Sequence, residues 1–201
     1  MRISDLFKQK KAVYSFEIFP PKVGDEIGKI YSTLDEIGDI APDYVSVTYS
    51  AGGSKNSRTA EIADLLKNKY GMEPLAHLTC INSSKEEVAA AIERLNRIGV
   101  ENILALRGDR IEGEEKGDFC YASDLIPFIK ERSGADIGAA CYPEGHPESA
   151  NLVEDIRHLK NKVDLGATHL NTQLFFDNDV FLNYMEKVRL AGIEVPVQAG
   201  I

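Results

Sequence analysis

Residues 74–109 read PLAHLTCINSSKEEVAAAIERLNRIGVENILALRGD, a stretch in which two strand patterns flank one helix pattern. Apolar runs predict strands at Pro74–Thr79 and Asn102–Leu106. Between them apolar residues recur at helical spacing, and Ser84 followed by Glu87 is the capping box typical of a helix start. A strand, a helix and a second strand of this length form the unit from which parallel sheets are built.

The same alternation of strand and helix patterns continues along the whole chain. Runs of strand length, rich in apolar, β-branched or aromatic residues, occur at residues 12–19, 44–49, 74–79, 102–106, 137–142, 169–175 and 194–198. Amphipathic helical patterns fill the intervals between them. Strictly alternating strands and helices predict a parallel sheet, which is either doubly wound or closed as a barrel.

Polar side chains occupy the C-terminal end of nearly every predicted strand. These residues are Glu17, Thr48, His77, Arg107, Asp109, Tyr142 and Gln173. In a barrel they converge on one mouth, whereas in an open sheet the outer ones would lie too far apart to share a ligand. We therefore predict an α/β fold of the (β/α)8 TIM barrel type, truncated after about seven strands. Residues 1–201 are interpreted as a single barrel domain that is incomplete at its C-terminus.

The composition is that of an ordinary globular domain. The chain has 201 residues, of which 43% are hydrophobic and 27% charged, and its formal net charge is −9. This charge argues against broad binding to nucleic acid or to an anionic membrane, although a few local cations would suffice for a small anionic ligand. The sequence contains neither a secretory signal nor an apolar run long enough to span a bilayer, so we expect a cytoplasmic protein.

Several strand-end residues have both a chemical and a structural interpretation. Glu17 lies in an apolar strand, where desolvation would raise the pKa of its carboxyl and suit it to general-acid catalysis; a structural ion pair is the alternative. Arg107, followed by Gly108, offers a fork for phosphate or forms a surface ion pair at a turn. His77 is expected to be a hydrogen-bonded core histidine. No second histidine lies at metal-ligand spacing, so no metal site is predicted.

Three other features leave alternatives open. A buried amide at Gln173 would suit the edge of a heterocycle, or would serve as a plain structural bridge. Lys162 lies near a helix C-terminus, where the helix dipole favours any cation. The small and hydroxyl-bearing residues 48–54 suit close approach to an extended ligand, or form a flexible loop.

Taken together, these segments resemble the methylenetetrahydrofolate reductase family along the whole chain. The motifs that carry the resemblance are FEIFPPK (16–22), VSVTYSAGGS (45–54), AHLTC (76–80), LALRGD (104–109), YASDL (121–125), YPEGHPE (142–148) and TQLFFD (172–177). The resemblance implies a (β/α)8 barrel that holds FAD non-covalently at the C-terminal ends of its strands. It also implies an oxidoreductase of one-carbon metabolism and methionine biosynthesis. Such an enzyme reduces 5,10-methylenetetrahydrofolate to 5-methyltetrahydrofolate with electrons from NADH or NADPH.

The resemblance also implies roles for single residues. Glu17 matches the family's catalytic acid, which helps protonate N10 of the folate so that flavin N5 can deliver hydride to the exposed methylene carbon. Asp109 matches the aspartate that meets the pterin near the flavin ring. Gln173 matches a glutamine that contacts the folate or the nicotinamide, and Thr48 matches a position near the nicotinamide. The positions that match the family's FAD site are Tyr49, Ala51, His77, Arg107, Gly108, Asp109, Tyr121, Ala122, Tyr142, His146, Ser149, Asp155, His158 and Lys162.

The sequence departs from the family pattern in two regions. In the helix after strand five, His158 replaces an asparagine of a bacterial pattern, and Asn161 replaces an arginine whose loss would weaken the hold on the FAD phosphates. The chain stops at VPVQAGI (195–201), where the family continues into an eighth strand and closing helices. We therefore expect a fragment of a longer protein.

Two other functions stay open at this point. One is a catalytically incomplete barrel, either a fragment or an accessory subunit, that binds flavin or a partner without turnover. The other is a pterin-dependent methyltransferase, against which the flavin-matching residues count. The electron donor is NADH, NADPH or reduced ferredoxin delivered through a partner subunit. We expect a folate substrate and a homo-oligomer, with no nucleic-acid or membrane partner.

Overall fold

The computed structural model describes residues 1–21, 28–49, 58–109 and 117–201. Seven parallel strands form one sheet in which neighbours in the chain are also neighbours in the sheet. The strands are β1 (Ser15–Ile18), β2 (Tyr44–Val47), β3 (Pro74–Thr79), β4 (Asn102–Leu106), β5 (Asp136–Cys141), β6 (His169–Thr172) and β7 (Val197–Gln198). The helices are α1 (Ile3–Gln9), α2 (Gly28–Ile40), α3 (Thr59–Asp64, continued by a π-helical turn at Leu65–Lys69), α4 (Lys85–Arg97), α5 (Ala122–Arg132), α6 (Leu152–Leu165) and α7 (Asn178–Leu190).

Two side-chain hydrogen bonds show that the sheet curls toward a barrel. Asn171 Nδ2 of β6 donates to the Tyr44 hydroxyl of β2 over 3.2 Å, although three strands separate β2 from β6 in the sheet. Gln198 Nε2 of β7 donates to the Val13 carbonyl just before β1 over 3.3 Å. The predicted seven-strand α/β architecture of barrel type is therefore confirmed.

The two faces of the sheet follow from the alternation of side chains along each strand. On β3, Leu75 packs in an inner cluster with Tyr44 and Leu104. Ala76 and Leu78 point the other way and pack against the outer helices. Because His77 alternates with these outward residues, its side chain faces the inside of the curled sheet.

The ends of α4 are fixed by the signals seen in the sequence. Ser84 accepts a hydrogen bond from the Glu87 amide over 3.2 Å, and the Glu87 carboxylate accepts one from the Ser84 amide over 3.0 Å. This capping box satisfies donors that the first turn leaves unpaired. Gly99 follows the helix with a φ of +80°, a left-handed conformation that glycine adopts without steric cost.

The predicted bounds of five strands differ from the structure: β2 ends at Val47 rather than Tyr49, β5 is shifted by one residue to Asp136–Cys141, and three others are shorter than predicted. β1 is shorter than residues 12–19, β6 ends at Thr172 rather than Phe175, and β7 contains only Val197–Gln198. Most of the residues left out are apolar or aromatic, but they lie beyond the point where a neighbouring strand pairs with them. Strand patterns in the sequence therefore extend past the hydrogen-bonded ladder.

Helix α1 was not predicted, and it covers the end of the barrel at which the strands begin. Ile3 and Leu6 of α1 are buried within the inner cluster. The fully buried Asn102, the first residue of β4, accepts a hydrogen bond from the Ile3 amide over 2.8 Å and donates to the Met1 carbonyl over 3.0 Å. Asp136, which opens β5, accepts from the Ser4 amide over 2.7 Å. Helix α1 thus leaves the opposite, C-terminal strand ends as the open side.

Within the described ranges, no helix has the length and apolar character needed to cross a lipid bilayer.

Replacing Asn102 with alanine should destabilise the fold strongly. The substitution removes the partners of a buried amide and of two oxygens, Met1 O and Glu73 Oε1. We expect the free energy of unfolding to fall by about 2–4 kcal/mol, measured by urea denaturation. Asn178→Ala at the exposed start of α7 is the matched control and should change it by less than about 0.5 kcal/mol. An equally small effect at Asn102 would contradict the docking of α1.

Candidate active site

Glu17, Ser46 and His77 form a cluster on three neighbouring strands. Glu17 of β1 pairs in register with Ser46 of β2. The Ser46 hydroxyl oxygen lies 2.6 Å from His77 Nε2 of β3, and Glu17 Oε2 lies 3.6 Å from the same nitrogen. Ser46 and His77 are buried, whereas the Glu17 side chain is 50% exposed. The cluster therefore places a carboxyl group between a buried histidine and the solvent.

Burial sets the charges of this cluster. Desolvation lowers the pKa of His77 from 6.5 to about 4, so the imidazole is neutral at neutral pH. Desolvation also raises the pKa of the Glu17 carboxyl, the direction that its apolar neighbours in sequence predict. Because His77 carries no charge at neutral pH, the contact between Glu17 and His77 is not an ion pair of the kind considered from the sequence.

The turn after β4 holds Arg107 in an ion pair. Its guanidinium makes two parallel bonds of 2.7 Å to the two carboxylate oxygens of Glu148. Gly108 has a φ of +87°, and a Cβ there would lie 3.0 Å from the Thr79 Cβ. Asp109 is exposed beyond this turn. Of the two interpretations of Arg107, the described structure shows the ion pair. Its guanidinium is also oriented to donate two parallel hydrogen bonds to an anion with two oxygens.

Asp155 organises the turn that follows β5. This buried α6 carboxylate accepts a hydrogen bond from the His146 amide over 3.3 Å and one from the Ser149 hydroxyl over 3.2 Å. The Tyr142 and His146 rings meet edge to face with centroids 4.7 Å apart. The structure therefore brings together four residues that match the family's FAD site, and Asp155 acts within the chain as their anchor.

Two further α6 residues predicted in the FAD site, Lys162 and His158, differ in environment. Lys162 Nζ donates to the Ala140 carbonyl of β5 over 2.6 Å, and burial lowers the pKa of its ammonium. His158 is exposed on the same helix, as is Asn161, where the sequence departs from the family pattern. The interpretation of Lys162 as a cation that merely follows the helix dipole is incomplete, because its ammonium is bonded to the sheet.

Thr48 and Tyr49, the two predicted site residues at the end of β2, have different environments. Thr48 is buried, and its carbonyl accepts a hydrogen bond from the Thr59 hydroxyl over 2.8 Å. Tyr49 packs against the outer cluster and lines a cavity of about 200 Å³ together with α4 residues such as Ala91 and Arg94. Neither Glu17 nor Arg107 lines this cavity. The Tyr49 side chain therefore packs toward α4, at a cavity that His77 also lines.

The remaining predicted residues lie at the rim. Tyr121 is exposed, and Ala122 is the first residue of α5. Gln173 directly follows β6, and its backbone N–H donates to the Cys141 carbonyl over 2.8 Å. The expectation of a buried amide at Gln173 is wrong, because its side chain is exposed. Ala51 lies outside the described residues.

Sequence reasoning missed Ser46 and Glu148. Ser46 is a small polar residue in an otherwise apolar strand, and its position two residues before Thr48 puts it on the inward face. The alternation of inward and outward side chains along β2 could therefore have identified Ser46 as an inward-facing residue. Glu148 is 41 residues from Arg107, and no local pattern links them.

Comparison with known proteins gives a consistent result. A family model described as methylenetetrahydrofolate reductase matches residues 2–201. Methylenetetrahydrofolate reductase 1 of Schizosaccharomyces pombe is 39% identical and aligns with 100% of this chain and 35% of its own length. The Arabidopsis thaliana protein named methylenetetrahydrofolate reductase (NADH) 1 is 36% identical over 100% of this chain and 36% of its own. The 5,10-methylenetetrahydrofolate reductase of Escherichia coli K12 is 38% identical over 93% of this chain and 63% of its own.

The chain thus spans about a third of the length of the yeast and plant relatives and less than two thirds of the bacterial one. Among solved structures, an uncharacterized Clostridium thermocellum protein that binds two copies of 5-methyl-5,6,7,8-tetrahydrofolic acid superposes with a TM-score of 0.67 at 11% identity. That match covers 99% of this chain and 69% of the other. A 2,3-dimethylmalate lyase gives a TM-score of 0.63 at 11% identity, covering 98% of this chain and 79% of its own. Identities this low show a shared barrel-type fold and nothing more specific.

The two most deeply buried histidines should make stability depend on pH. Burial holds the pKa of His77 and of the fully buried His169 at about 4, against 6.5 when unfolded. As the pH falls from 6.5 toward 4, the unfolded chain binds protons that the folded chain excludes. Each imidazole should therefore lower the free energy of unfolding by up to about 1.4 kcal/mol per pH unit.

Denaturant unfolding across this pH range measures the effect. His77→Gln should flatten the slope, whereas Asn178→Ala at the exposed start of α7 should leave it unchanged. Equal slopes in His77→Gln and the unaltered chain would show that His77 titrates normally when folded.

Proposed function

Because the chain belongs to the methylenetetrahydrofolate reductase family, we propose that it reduces 5,10-methylenetetrahydrofolate to 5-methyltetrahydrofolate, with FAD as cofactor and NADH or NADPH as electron donor. The observation that carries the proposal is the half-exposed Glu17 carboxyl beside the neutral His77. The name of the Arabidopsis relative supports NADH as a donor. The Clostridium protein of similar fold supports folate as a ligand that such a barrel accommodates.

Glu17 is the proposed general acid. Its raised pKa keeps a larger fraction of the carboxyl protonated near neutral pH, which a proton donor requires. Its exposure lets that proton reach a ligand at the open side of the barrel, where N10 of the folate would receive it. His77 supports this role because a neutral imidazole does not stabilise the ionised carboxylate.

Exposed polar groups at the rim supply the proposed folate contacts. The Asp109 carboxylate lies beyond the β4 turn, and the Gln173 amide lies beyond β6. Because both side chains are exposed, each can exchange water for a pterin or nicotinamide edge without losing a buried partner. Thr48 is buried and would contribute through close packing near the nicotinamide.

The residues present fit the FAD that the family implies. The fork of Arg107 already holds the two oxygens of Glu148, and a phosphate presents oxygens of similar spacing. Gly108 lets a ligand approach the backbone closely, and Asp155 fixes the turn carrying Tyr142 and His146. When bound, the flavin would supply the hydride chemistry. Glu148 would have to release Arg107 before a phosphate could take its place.

The sequence leaves a second function open as an alternative. In this alternative the chain binds flavin, or a partner, without completing turnover. A homo-oligomer or an electron-transfer subunit would then supply what is needed for the reaction. The two experiments below separate flavin binding from folate reduction.

Arg107→Ala should weaken FAD binding. The substitution removes the cation proposed to meet a phosphate, and one charge-assisted contact corresponds to a loss of about tenfold or more in affinity. Titration of the apoprotein with FAD, followed by flavin fluorescence, measures the change. Arg157→Ala on the exposed face of α6 is the control and should leave affinity unchanged. Equal affinities in the two variants would remove Arg107 from the FAD site.

Glu17→Gln should separate the two half-reactions. Glutamine keeps the shape but cannot donate the proton, so oxidation of the reduced flavin by the folate should slow by about 100-fold or more. Reduction of the flavin by NADH should be unchanged. Stopped-flow absorbance measures both steps, and Glu144→Gln in the exposed turn after β5 serves as control.

Equal slowing of both steps would refute the acid role of Glu17. An unaltered chain that binds flavin but leaves the folate unreduced would favour the second function.

A further inference from the structure

The Ser46 hydroxyl and the Glu17 carboxyl both lie close to the same nitrogen, Nε2 of His77. The Ser46 oxygen lies 2.6 Å from His77 Nε2, whereas Glu17 Oε2 lies 3.6 Å from it. The first distance is that of a hydrogen bond, and the second is too long for one. Nε2 therefore bonds to the serine while it faces the carboxyl.

The burial of Ser46 indicates which group donates. Ser46 is 4% exposed, and within the described ranges its oxygen has no hydrogen-bond partner besides Nε2. A buried hydroxyl hydrogen needs an acceptor, and Nε2 accepts only when the imidazole carries its proton on Nδ1. The arrangement that satisfies Ser46 is thus a serine O–H donating to Nε2, with His77 in its Nδ1–H form.

This hydrogen bond prevents His77 from accepting the proton of Glu17. An imidazole nitrogen offers one lone pair, and Ser46 uses it. If Ser46 did not occupy this lone pair, Nε2 could take the proton of Glu17 and hold it in an imidazolium–carboxylate pair inside the barrel. In the part of the chain that the structure describes, no carboxylate besides Glu17 lies within ion-pair distance of His77.

Tyr44 is a further titratable group, among the described residues, that interacts with Glu17. Burial raises the pKa of its hydroxyl, which accepts a hydrogen bond from Asn171. Tyr44 is therefore neutral across the range in which Glu17 and His77 titrate. Whether Glu17 keeps its proton therefore depends on whether Nε2 of His77 can accept it, and the Ser46 hydrogen bond occupies Nε2.

We propose that Ser46 is a positioning residue that keeps the Glu17 proton available to the ligand by occupying Nε2 of His77. The inference rests on the proposed role of Glu17 as the acid, and it adds a residue that does not itself touch the substrate.

The tautomer of His77 tests the hydrogen bond without any activity. The chain has four histidines, so nitrogen-15 NMR of histidine-labelled protein is tractable, with His77→Gln to assign the signal. We expect His77 in its Nδ1–H form in the unaltered chain and in Ser46→Thr, which keeps the hydroxyl. Ser46→Ala should lose this preference. An Nε2–H form in the unaltered chain would overturn the inference, even if Ser46→Ala fails to fold.

The pH profile of folate reduction tests the consequence. Ser46→Ala should lower the plateau rate about tenfold and move the alkaline limb to higher pH by about one unit, because the pair of His77 and Glu17 then holds the shared proton more tightly. Ser46→Thr should restore the profile, and flavin reduction by NADH should not change in either variant. An unshifted limb in Ser46→Ala would overturn the inference. An unaltered chain that does not reduce folate would refute the proposed function, whereas the tautomer of His77 would still decide the Ser46 bond.

Discussion

Parallel pairing of the strands in chain order determines where a functional site can form in this fold. It places the C-terminal ends of all seven strands at one rim, and the curl of the sheet brings distant strands within hydrogen-bond reach. Helix α1 covers the opposite end through Asn102 and Asp136. Polar residues that are far apart in the chain therefore share one open side, as barrel enzymes require.

Burial then decides the chemistry at that side. The inward position of His77 removes its charge at neutral pH, and a neutral imidazole leaves the proton of Glu17 in place. Arg107 lies nearer the solvent, where a second carboxylate, Glu148, pairs with it. The same barrel thus holds one carboxyl whose pKa is raised beside a neutral ring and another that is paired with a guanidinium. Because the Glu17 and Glu148 side chains are about equally exposed, this separation of roles follows from their partners, a neutral imidazole and a charged guanidinium.

The sequence predicted the fold well where local patterns determine it. The bounds of β3 and β4 and the capping box of α4 agree with the structure, because apolar runs and capping residues act over a few positions. Contacts between distant residues were not predictable in this way. Helix α1 depends on Asn102, 99 residues beyond Ile3, and the partner of Arg107 lies 41 residues away. Tyr49 and Gln173 show that a residue's place after a strand does not fix the direction or burial of its side chain.

We infer that the fold keeps the Glu17 carboxyl protonated more readily than a carboxyl in water. Carbon-13 NMR of glutamate-labelled protein, titrated with acid and assigned with Glu17→Gln, measures this ionisation directly. The structure predicts a midpoint for Glu17 above the ordinary value of 4.5. A midpoint at or below 4.5 would show that the barrel stabilises the carboxylate, and Glu17 could not then be the acid of the reaction.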